Sequence, residues 1–420
     1  MKMKMPEVSP AVEALIARAE ADCAQAFARV DAVERFNTRK VISAFQNHRV
    51  SGRHFAPTTG YGYDDIGRDT LGALFAEVLG TESALVRPQI ASGTHALALC
   101  LFGVLRPGDV LLCAAGKPYD TMEEVIGLSG EPGSGSLKDL GVGYRQVDLK
   151  DGKIDVEGVL DALTPEVKLV LIQRSRGYDW RPSLSVEEIN AAIDAIHARQ
   201  GDTCVMVDNC YGEFTNCEEP RADLMAGSLI KNPGGGIAPT GGYIAGRQKF
   251  VDLAACRLTS PGIGAEVGSY AGSYQPFYQG LFMGPHTVAQ AVRSAILAAR
   301  TFELLGFDVH PAYDAPRNDI IEAIRFGAPE PLIRFIQAVQ LCSPVDAEAV
   351  PEPWDMPGYQ DPVIMAAGTF VSGASVELSA DAPVRAPYIA YLQGALTYAH
   401  GRMAIAGAVQ LLLDEHLARL

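Results

Sequence analysis

The sequence contains no long uninterrupted hydrophobic run. A helix that spans a membrane needs about 20 consecutive apolar residues, and no stretch of the 420 residues approaches that length. The first residues, Met1 to Pro6, are not followed by the apolar segment of a signal peptide. These two absences predict a cytoplasmic protein that does not enter a membrane.

Paired cysteines, metal motifs and excess positive charge are missing as well. The eight cysteines are scattered without a CxxC pair, which argues against a disulfide framework and a zinc ribbon. There is no HExxH sequence and no Cys/His cluster, so a catalytic metal is not indicated. With 35 Lys and Arg against 50 Asp and Glu, the net charge is −15. Such a chain does not attract nucleic acid or an anionic membrane, and an anionic ligand must be held by local groups.

Apolar side chains, by contrast, are abundant at 48% and suffice for a buried core. Between residues 69 and 245, short apolar runs alternate with helical patterns, which is typical of a parallel sheet covered on both faces. The predicted strands are Ser83–Val86, Asp109–Cys113, Gly143–Val147, Lys168–Gln173 and Thr203–Val207, and the helices between them are Gly93–Leu105, Tyr119–Ile126, Asp155–Leu163 and Ser185–Arg199.

The two ends of the chain have different patterns. A helical stripe runs from Ser9, the predicted N-cap, to about Val30. The C-terminal part has a helix over Pro285–Leu305, Pro-rich loops, short strands and a last helix from about Pro387. The short strands are predicted at Val363–Ala366 and Ser375–Leu378. We therefore predict an α/β protein with an N-terminal helical segment (1–60), a large domain (61–285) and a smaller α+β domain (286–420).

Three segments carry candidate chemistry. Ala91–His95 begins a helix and offers N–H groups and hydroxyls to an anion, although it is also an ordinary helix cap. Val205–Asn209 is an apolar strand that ends in Asp208, and Ser228–Gly236 is an apolar run that ends in Lys231 and a glycine turn. A strand-end acid followed by a strand-end lysine suits a pyridoxal phosphate (PLP) site, where the amine forms a Schiff base and the acid keeps the ring nitrogen protonated.

At this point the chain resembles the fold-type I PLP enzymes of the methionine γ-lyase and cystathionine lyase group, in the branch called aluminium-resistance proteins. The resemblance spans at least Gly60 to Tyr398. It is carried by Gly60–Asp65, Pro118–Thr121, Val207–Phe214, Lys231–Gly236, Met356–Tyr359 and Glu377–Asp381.

The resemblance implies a role for each matching residue. Lys231 is the Schiff-base lysine that also moves the Cα proton, Asp208 pairs with the pyridine nitrogen, and Tyr119 lies on the cofactor ring. The phosphate cradle comprises Ser92, Gly93, Thr94 and Ser228. Tyr63 and Arg68 match residues that reach a neighbouring subunit's phosphate, with a wider spacing than in the relatives. Arg385 is the candidate for the substrate carboxylate, with Arg402 and Arg174 as its competitors.

Simpler interpretations stand beside these. Tyr119 could cap a helix, and Asn209 and Glu213 could serve just to orient the strand end. His95 could be structural. Glycines 234–236 could form a flexible loop without a ligand.

The resemblance implies a carbon–sulfur lyase that converts a sulfur-containing amino acid into a thiol, a 2-oxo acid and ammonia by α,β- or α,γ-elimination. Other PLP chemistry, namely aminotransfer, aldol cleavage or γ-replacement, would use the same residues. A PLP-binding protein with little turnover is the alternative outside enzymes. The resemblance also implies a homotetramer, a dimer of dimers with shared active sites. The aromatic segment from Tyr270 to Phe282 is expected to contribute to a subunit contact because it is strongly apolar.

Overall fold

The computed structural model describes residues 5–356 and 361–420. The last three residues of the block Met356–Tyr359 lie outside the described residues.

The N-terminal helix α1 (Pro10–Asn47) begins where the sequence predicts it to begin. The Ser9 side chain accepts a hydrogen bond from the backbone N–H of Val12 and caps the helix. The helix continues well past Val30, because Val41 and Ala44 extend its buried stripe. It packs along a second long helix, α8 (Gln275–Leu304).

A seven-stranded sheet forms the centre of the molecule. Its order is β1-β7-β6-β5-β4-β2-β3, and β7 runs in the direction opposite to the other six strands. The strands are β1 (Ser83–Arg87), β2 (Val110–Cys113), β3 (Gly143–Gln146), β4 (Val167–Gln173), β5 (Cys204–Asp208), β6 (Leu224–Ser228) and β7 (Gly242–Gly246). The five predicted strands are confirmed. β6 and β7 were not assigned, since they are short and rich in small residues, which favour strands weakly.

Helices cover both faces of this sheet. Val205 and Val207 of β5 join one hydrophobic cluster, whereas Cys204 and Met206 point to the opposite face and join another. This alternation is the pleat of a strand with two buried faces. The covering helices are α2 (Ile66–Leu79), α3 (Gly93–Val104), α4 (Asp120–Ile126), α5 (Val156–Ala162), α6 (Val186–Arg199) and α7 (Gln248–Leu258).

The C-terminal part contains a five-stranded antiparallel sheet of order β10-β11-β12-β9-β8. Its strands are β8 (Asp308–His310), β9 (Ile321–Arg325), β10 (Val363–Ala366), β11 (Ser379–Pro383) and β12 (Ile389–Gln393), with helices α9 (Pro329–Leu341) and α10 (Tyr398–Asp414).

Several predicted elements in this part need correction. The strand predicted at Ser375–Leu378 begins only at Ser379, and β12 occupies residues assigned to the last helix. α10 starts at Tyr398, where the Thr397 side chain accepts a hydrogen bond from the N–H of His400. The preceding apolar residues pair with β9 and β11 instead, so tertiary pairing overrides the helical pattern.

The long helix α8 begins ten residues earlier than predicted, at Gln275, and contains Pro285 in its interior. The proposed domain boundary at 285 falls inside this helix, and the division into domains stays a prediction. Among the helices of the described residues, none combines the length and apolar character that crossing a membrane requires.

Candidate active site

The site lies at the carboxyl edge of the large sheet. β4, β5 and β6 are parallel, so their C-terminal ends meet at one edge. Gln173 ends β4 directly opposite Asp208, which ends β5. Ser228 ends β6, and Lys231 follows three residues later, before a short 3₁₀ turn at Asn232–Gly234. The topology therefore brings the predicted acid and the predicted lysine to the same edge.

A cavity of about 210 Å³ opens at this edge. It brings together seven residues predicted from sequence: Ser92, Gly93, Thr94, Tyr119, Asp208, Ser228 and Lys231. The same walls include Gln173, Ser175, Gly177, Cys210 and Tyr211, which the sequence did not single out.

One end of the cavity is the N-terminus of α3. The Ser92 hydroxyl accepts a hydrogen bond from the N–H of His95 at 3.0 Å, and the Thr94 hydroxyl lies 2.9 Å from the Thr121 hydroxyl. A Cβ at Gly93 would lie 3.3 Å from Cys210 Sγ and 3.5 Å from Ser228 Cβ. The turn can therefore approach β6 closely because it has no side chain, and the helix end offers N–H groups and a positive dipole to an anion.

His95 has a structural partner here. Its Nδ1 accepts a hydrogen bond from the backbone N–H of Ala91 at 3.0 Å. This contact closes the turn before α3 and agrees with the simpler interpretation of this histidine.

Lys231 also lines the cavity, and its amine lies over an aromatic ring. Its Nζ is 3.9 Å from the centroid of the Tyr211 ring, and the Ser375 hydroxyl donates to the Tyr211 hydroxyl at 3.2 Å. Tyr211 has a left-handed backbone with φ of 72°. For a residue other than glycine this conformation costs roughly 1 kcal/mol or more, and such strain is found at functional sites.

Asp208 is a buried carboxylic acid, and nearby positive charge only partly offsets the cost of ionising it. Its Oδ1 accepts a hydrogen bond from the N–H of Cys210 at 3.1 Å. Burial raises the pKa of Asp208, although the charge of Lys231 and this hydrogen bond oppose the shift. A cation placed against this carboxyl would stabilise its ionised form.

Behind the lysine, the glycine turn is tightly packed. A Cβ at Gly234 would lie within bonding distance of Leu229 O, and one at Gly280 would lie 2.4 Å from Gly234 O. Gly234 and Gly235 are buried against α8. This close packing argues against a flexible loop, because the glycines allow the lysine turn to contact the helix; whether the turn serves a ligand stays a prediction.

Buried polar side chains next to the strand ends form hydrogen bonds with one another. Asn209 Oδ1 accepts a hydrogen bond from Arg174 Nη1 at 2.8 Å, and Glu213 Oε1 accepts one from the Tyr243 hydroxyl at 2.7 Å. Burial raises the pKa of Glu213 to about 8, with the hydrogen bond from Tyr243 opposing the shift. Asn209 and Glu213 do not line the cavity, in agreement with the interpretation that they orient the strand end.

Tyr119 occupies the N-cap position of α4 but makes no side-chain capping bond there. It lines the lysine cavity and also a second, larger cavity of about 670 Å³. Gln173 and Gly177 are shared between the two cavities as well. We call the larger cavity the vestibule, because it adjoins the lysine cavity at these residues.

Side chains of both charges line the vestibule. Arg385 is one of them, half-exposed and paired with Asp361 at 2.6 Å. The other charged residues of the vestibule are Lys117, Asp120, Asp148, Asp151, Arg176, Asp179, Arg181 and Asp361.

The two competitors of Arg385 lie elsewhere. Arg174 is fully buried and pairs with Glu219 at 2.8 Å, and Arg402 pairs with Glu13 and Glu20 of α1. Neither lines the lysine cavity or the vestibule. Of these three candidates Arg385 lines the vestibule, together with Arg176 and Arg181, which were not predicted.

Tyr63 and Arg68 are not brought to the lysine cavity of the same chain. Tyr63 is 63% exposed and stacks on Tyr61. Arg68 is buried, and it donates to the Gly62 carbonyl and pairs with Asp69 at 2.8 Å. The contact of Tyr63 and Arg68 with a neighbouring subunit's phosphate stays a prediction.

The aromatic segment expected at a subunit contact is mostly internal. Tyr274, Phe277 and Tyr278 are buried in the hydrophobic core, and Phe282 is exposed. The expectation is corrected on this point, because the segment forms the first turns of α8 and packs against the chain's own core.

Besides Ser175, Gly177 and Cys210, sequence reasoning missed Gln173, Tyr178 and Tyr211 as neighbours of the site. Gln173 could have been found, because it ends a predicted strand at the edge where ligands bind. Tyr178 lines the vestibule next to Tyr119, at 6.1 Å between ring centroids. Its position depends on a loop that no periodic pattern describes.

Comparison with known proteins identifies the family of this chain. The family model described as methionine gamma-lyase matches residues 12–413. The uncharacterized protein YnbB of Bacillus subtilis (strain 168) is 52% identical over 402 residues, which cover 95% of this chain and 96% of YnbB.

Two solved structures are similar to this chain in fold. The crystal structure of a protein proposed to be a cystathionine beta-lyase involved in aluminum resistance, from Clostridium acetobutylicum, has a TM-score of 0.94 and 49% identity, over 97% of this chain and 96% of that one. The pyridoxal-5'-phosphate-dependent protein YhfS from Escherichia coli has a TM-score of 0.58 and 16% identity, over 91% and 97% of the two chains. At that identity the shared feature is the fold, which confirms the predicted fold class. With a family match over nearly the whole chain, the protein belongs to the methionine gamma-lyase family.

Proposed function

We propose that this protein is a PLP-dependent carbon–sulfur lyase that acts on a sulfur-containing amino acid. The observation that carries the proposal is the meeting of Lys231, Asp208 and the N-terminus of α3 around one cavity. The family match and the relative from Clostridium acetobutylicum support the same reaction class.

The residues of the cavity fit PLP at three points. The α3 N-terminus, with Ser92, Thr94 and the close-packed Gly93, would hold the phosphate. Asp208 is a buried carboxyl whose pKa is raised by burial, and a protonated pyridine nitrogen would supply the cation that it lacks. The Lys231 amine would bind the aldehyde carbon.

When bound, PLP supplies a positively charged ring that absorbs the electron pair of a broken Cα bond. Asp208 would keep that ring cationic. Lys231 would take the Cα proton of the substrate, and Tyr119 would cover the ring. Arg385 would bind the substrate α-carboxylate by a bidentate contact.

The vestibule favours a substrate with a polar distal group. Apart from Arg385, its walls carry Lys117 as well as Asp120 and Asp179, so they complement a group that has both charges. Cystathionine ends in a second amino acid group, whereas methionine ends in an apolar methyl thioether. We therefore propose that a substrate of the cystathionine type is used in preference to methionine.

We also propose a homotetramer in which active sites are shared between subunits. Tyr61 and Tyr63 are 71% and 63% exposed, and Ile66 nearby is 46% exposed. Exposed apolar groups of this size favour burial against a partner. A second subunit would bring Tyr63 and Arg68 toward a phosphate that they do not reach in their own chain.

Absorbance of the purified protein tests the cofactor and the lysine together. We expect a band near ~420 nm that is lost in Lys231→Ala. The matched control is Lys168→Ala, which changes an exposed lysine of β4 and should keep the band. A wild-type protein that shows no band after incubation with PLP would contradict the cofactor assignment.

Product analysis tests the reaction. Incubation with L-cystathionine, L-methionine and L-cysteine is expected to give a thiol, a 2-oxo acid and ammonia, fastest with L-cystathionine. Transfer of the amino group to an added 2-oxo acid would identify an aminotransferase instead. Spectral change without product would identify a PLP-binding protein.

A further inference from the structure

The amine of Lys231 has an aromatic neighbour with no role in the proposed reaction steps. Lys231 Nζ lies 3.9 Å from the centroid of the Tyr211 ring, and both residues line the lysine cavity. The face of an aromatic ring is negative and attracts a cation within about 6 Å of its centroid, more strongly where water is excluded. Tyr211 therefore contacts the atom of Lys231 that would react with the cofactor and the substrate.

The backbone of Tyr211 is strained. Its φ of 72° is in the left-handed region, three residues after Asp208 ends β5. Glycine adopts this conformation without strain, whereas a residue with a side chain keeps it where the surrounding structure determines it. A side chain is thus retained at a position where glycine would fit the backbone better, which points to a role for the tyrosine ring.

The small sheet holds this ring in place. The Ser375 hydroxyl, in the segment before β11, donates to the Tyr211 hydroxyl at 3.2 Å. The ring also packs against a hydrophobic cluster of β9 and β12. The cluster consists of Ile321, Ala323, Ile389 and Tyr391. Tyr211 therefore contacts the small sheet as well as Lys231, although it follows a strand of the large sheet.

We propose that Tyr211 is a positioning residue for Lys231, whose ring, held by Ser375 and the small sheet, stabilises a cation at the Lys231 nitrogen. This inference rests on the proposed function, because the cation is the protonated nitrogen that joins Lys231 to PLP. It gives the small sheet a part in the lysine site, through a ring that belongs to the large sheet.

Other groups near Lys231 also carry or exchange protons. The titratable groups that line the cavity beside it are Tyr119, Asp208, Cys210 and Tyr211. Burial raises the pKa of the Cys210 thiol and of the Tyr211 phenol, so both stay neutral. Burial also raises the pKa of Glu213 and Asp381, and the charge of Lys231 opposes both shifts. A test of the ring must therefore leave these other groups unchanged.

The test is a pH titration of the ~420 nm band in the holoenzyme, with two variants at position 211. Tyr211→Phe keeps the ring and Tyr211→Leu removes it, while both lack the hydroxyl. Because the ring favours the protonated nitrogen, the midpoint of Tyr211→Leu is expected about 1 pH unit below that of Tyr211→Phe.

A second aromatic ring under a cation provides the matched control. Tyr313 lies under Arg300, whose Cζ is 4.7 Å from the centroid of the ring, and it lines neither the lysine cavity nor the vestibule. Tyr313→Phe and Tyr313→Leu should therefore titrate with the same midpoint as the wild-type protein.

A ring that only fills space would give a different result. Tyr211→Phe and Tyr211→Leu that bind PLP, keep the wild-type circular dichroism spectrum and titrate with equal midpoints overturn the inference and leave the proposed function intact. If Tyr211→Leu does not fold, pentafluorophenylalanine incorporated at position 211 decides, because fluorine withdraws electrons from the ring face and nearly keeps its shape. Its midpoint should lie below that of Tyr211→Phe, and an equal midpoint overturns the inference. A wild-type protein without a band overturns the proposed function and this inference together.

Discussion

Asp208, the last residue of β5, is the register partner of Gln173, the last residue of β4. Because these strands are parallel and adjacent, the two residues meet at the edge of the sheet where the lysine cavity opens. Gln173 also donates from its amide to the Ser175 carbonyl at 3.0 Å and borders the vestibule. The pair therefore marks the point where the proposed cofactor site and the proposed substrate site join.

Replacing Asp208 by Asn is expected to lower kcat by at least about 100-fold. The amide has the shape of the carboxyl but carries no charge to keep the ring nitrogen protonated. The measurement is kcat with L-cystathionine, together with the PLP content after dialysis. Asp202→Asn is the control, since Asp202 is exposed two residues before β5. Unchanged kcat in Asp208→Asn would remove Asp208 from the proposed mechanism.

Replacing Arg385 by Ala is expected to raise KM by about 10- to 100-fold, because the substrate carboxylate loses a charged partner. Stability should fall by less than about 1 kcal/mol, since the pair with Asp361 is half-exposed. The control is Arg402→Ala, which breaks ion pairs with α1 away from both cavities. Equal KM values for the two variants would argue that another group binds the carboxylate.

Mixing two inactive variants tests whether active sites are shared. Tyr63→Ala and Lys231→Ala are each expected to be inactive or nearly so. If Tyr63 acts on the neighbouring subunit's site, a mixed dimer regains one intact site, and an equimolar mixture refolded together recovers about a quarter of wild-type activity. Each variant refolded alone is the control. No recovery, with mixed oligomers shown by mass spectrometry, would place Tyr63 outside a shared site.

Glu213 predicts a pH dependence of stability. Its carboxyl has an ordinary pKa of 4.5 when unfolded and about 8 when folded, because it is buried. Between these values the folded protein keeps a proton that the unfolded chain has lost, so its contribution to stability falls as the pH rises. Gln does not titrate and can still accept from Tyr243. The Tm of Glu213→Gln relative to wild type should therefore be higher at about pH 8.5 than at about pH 5.

Thermal unfolding at several pH values, followed by circular dichroism, measures this difference. Glu218→Gln, a neighbouring acid nearer the surface, is the control for the loss of one negative charge. A Tm difference that does not change with pH would show that Glu213 is ionised in the folded protein.

The sequence alone determined the α/β class, the five strands from Ser83 to Asp208 and the positions of Asp208 and Lys231 as candidates. Local periodicity is sufficient for these features, because a strand buried on both faces is a continuous apolar run whatever its neighbours are. The N-cap at Ser9 could also be predicted from the sequence, since capping depends on residues three positions apart.

Only the tertiary structure determined which strands and side chains are neighbours in space. β6, β7 and β12 are stabilised by pairing with strands far away in sequence, so their short segments have no clear local pattern. The sequence offers Arg385 with Arg174 and Arg402 as competitors. Packing makes Arg174 a buried support, Arg385 a wall of the vestibule and Arg402 a partner of α1. Asp381 acquires its raised pKa only through the burial that the tertiary structure imposes on it. Burial and charge interaction depend on distance in space, which the order of residues along the chain does not specify.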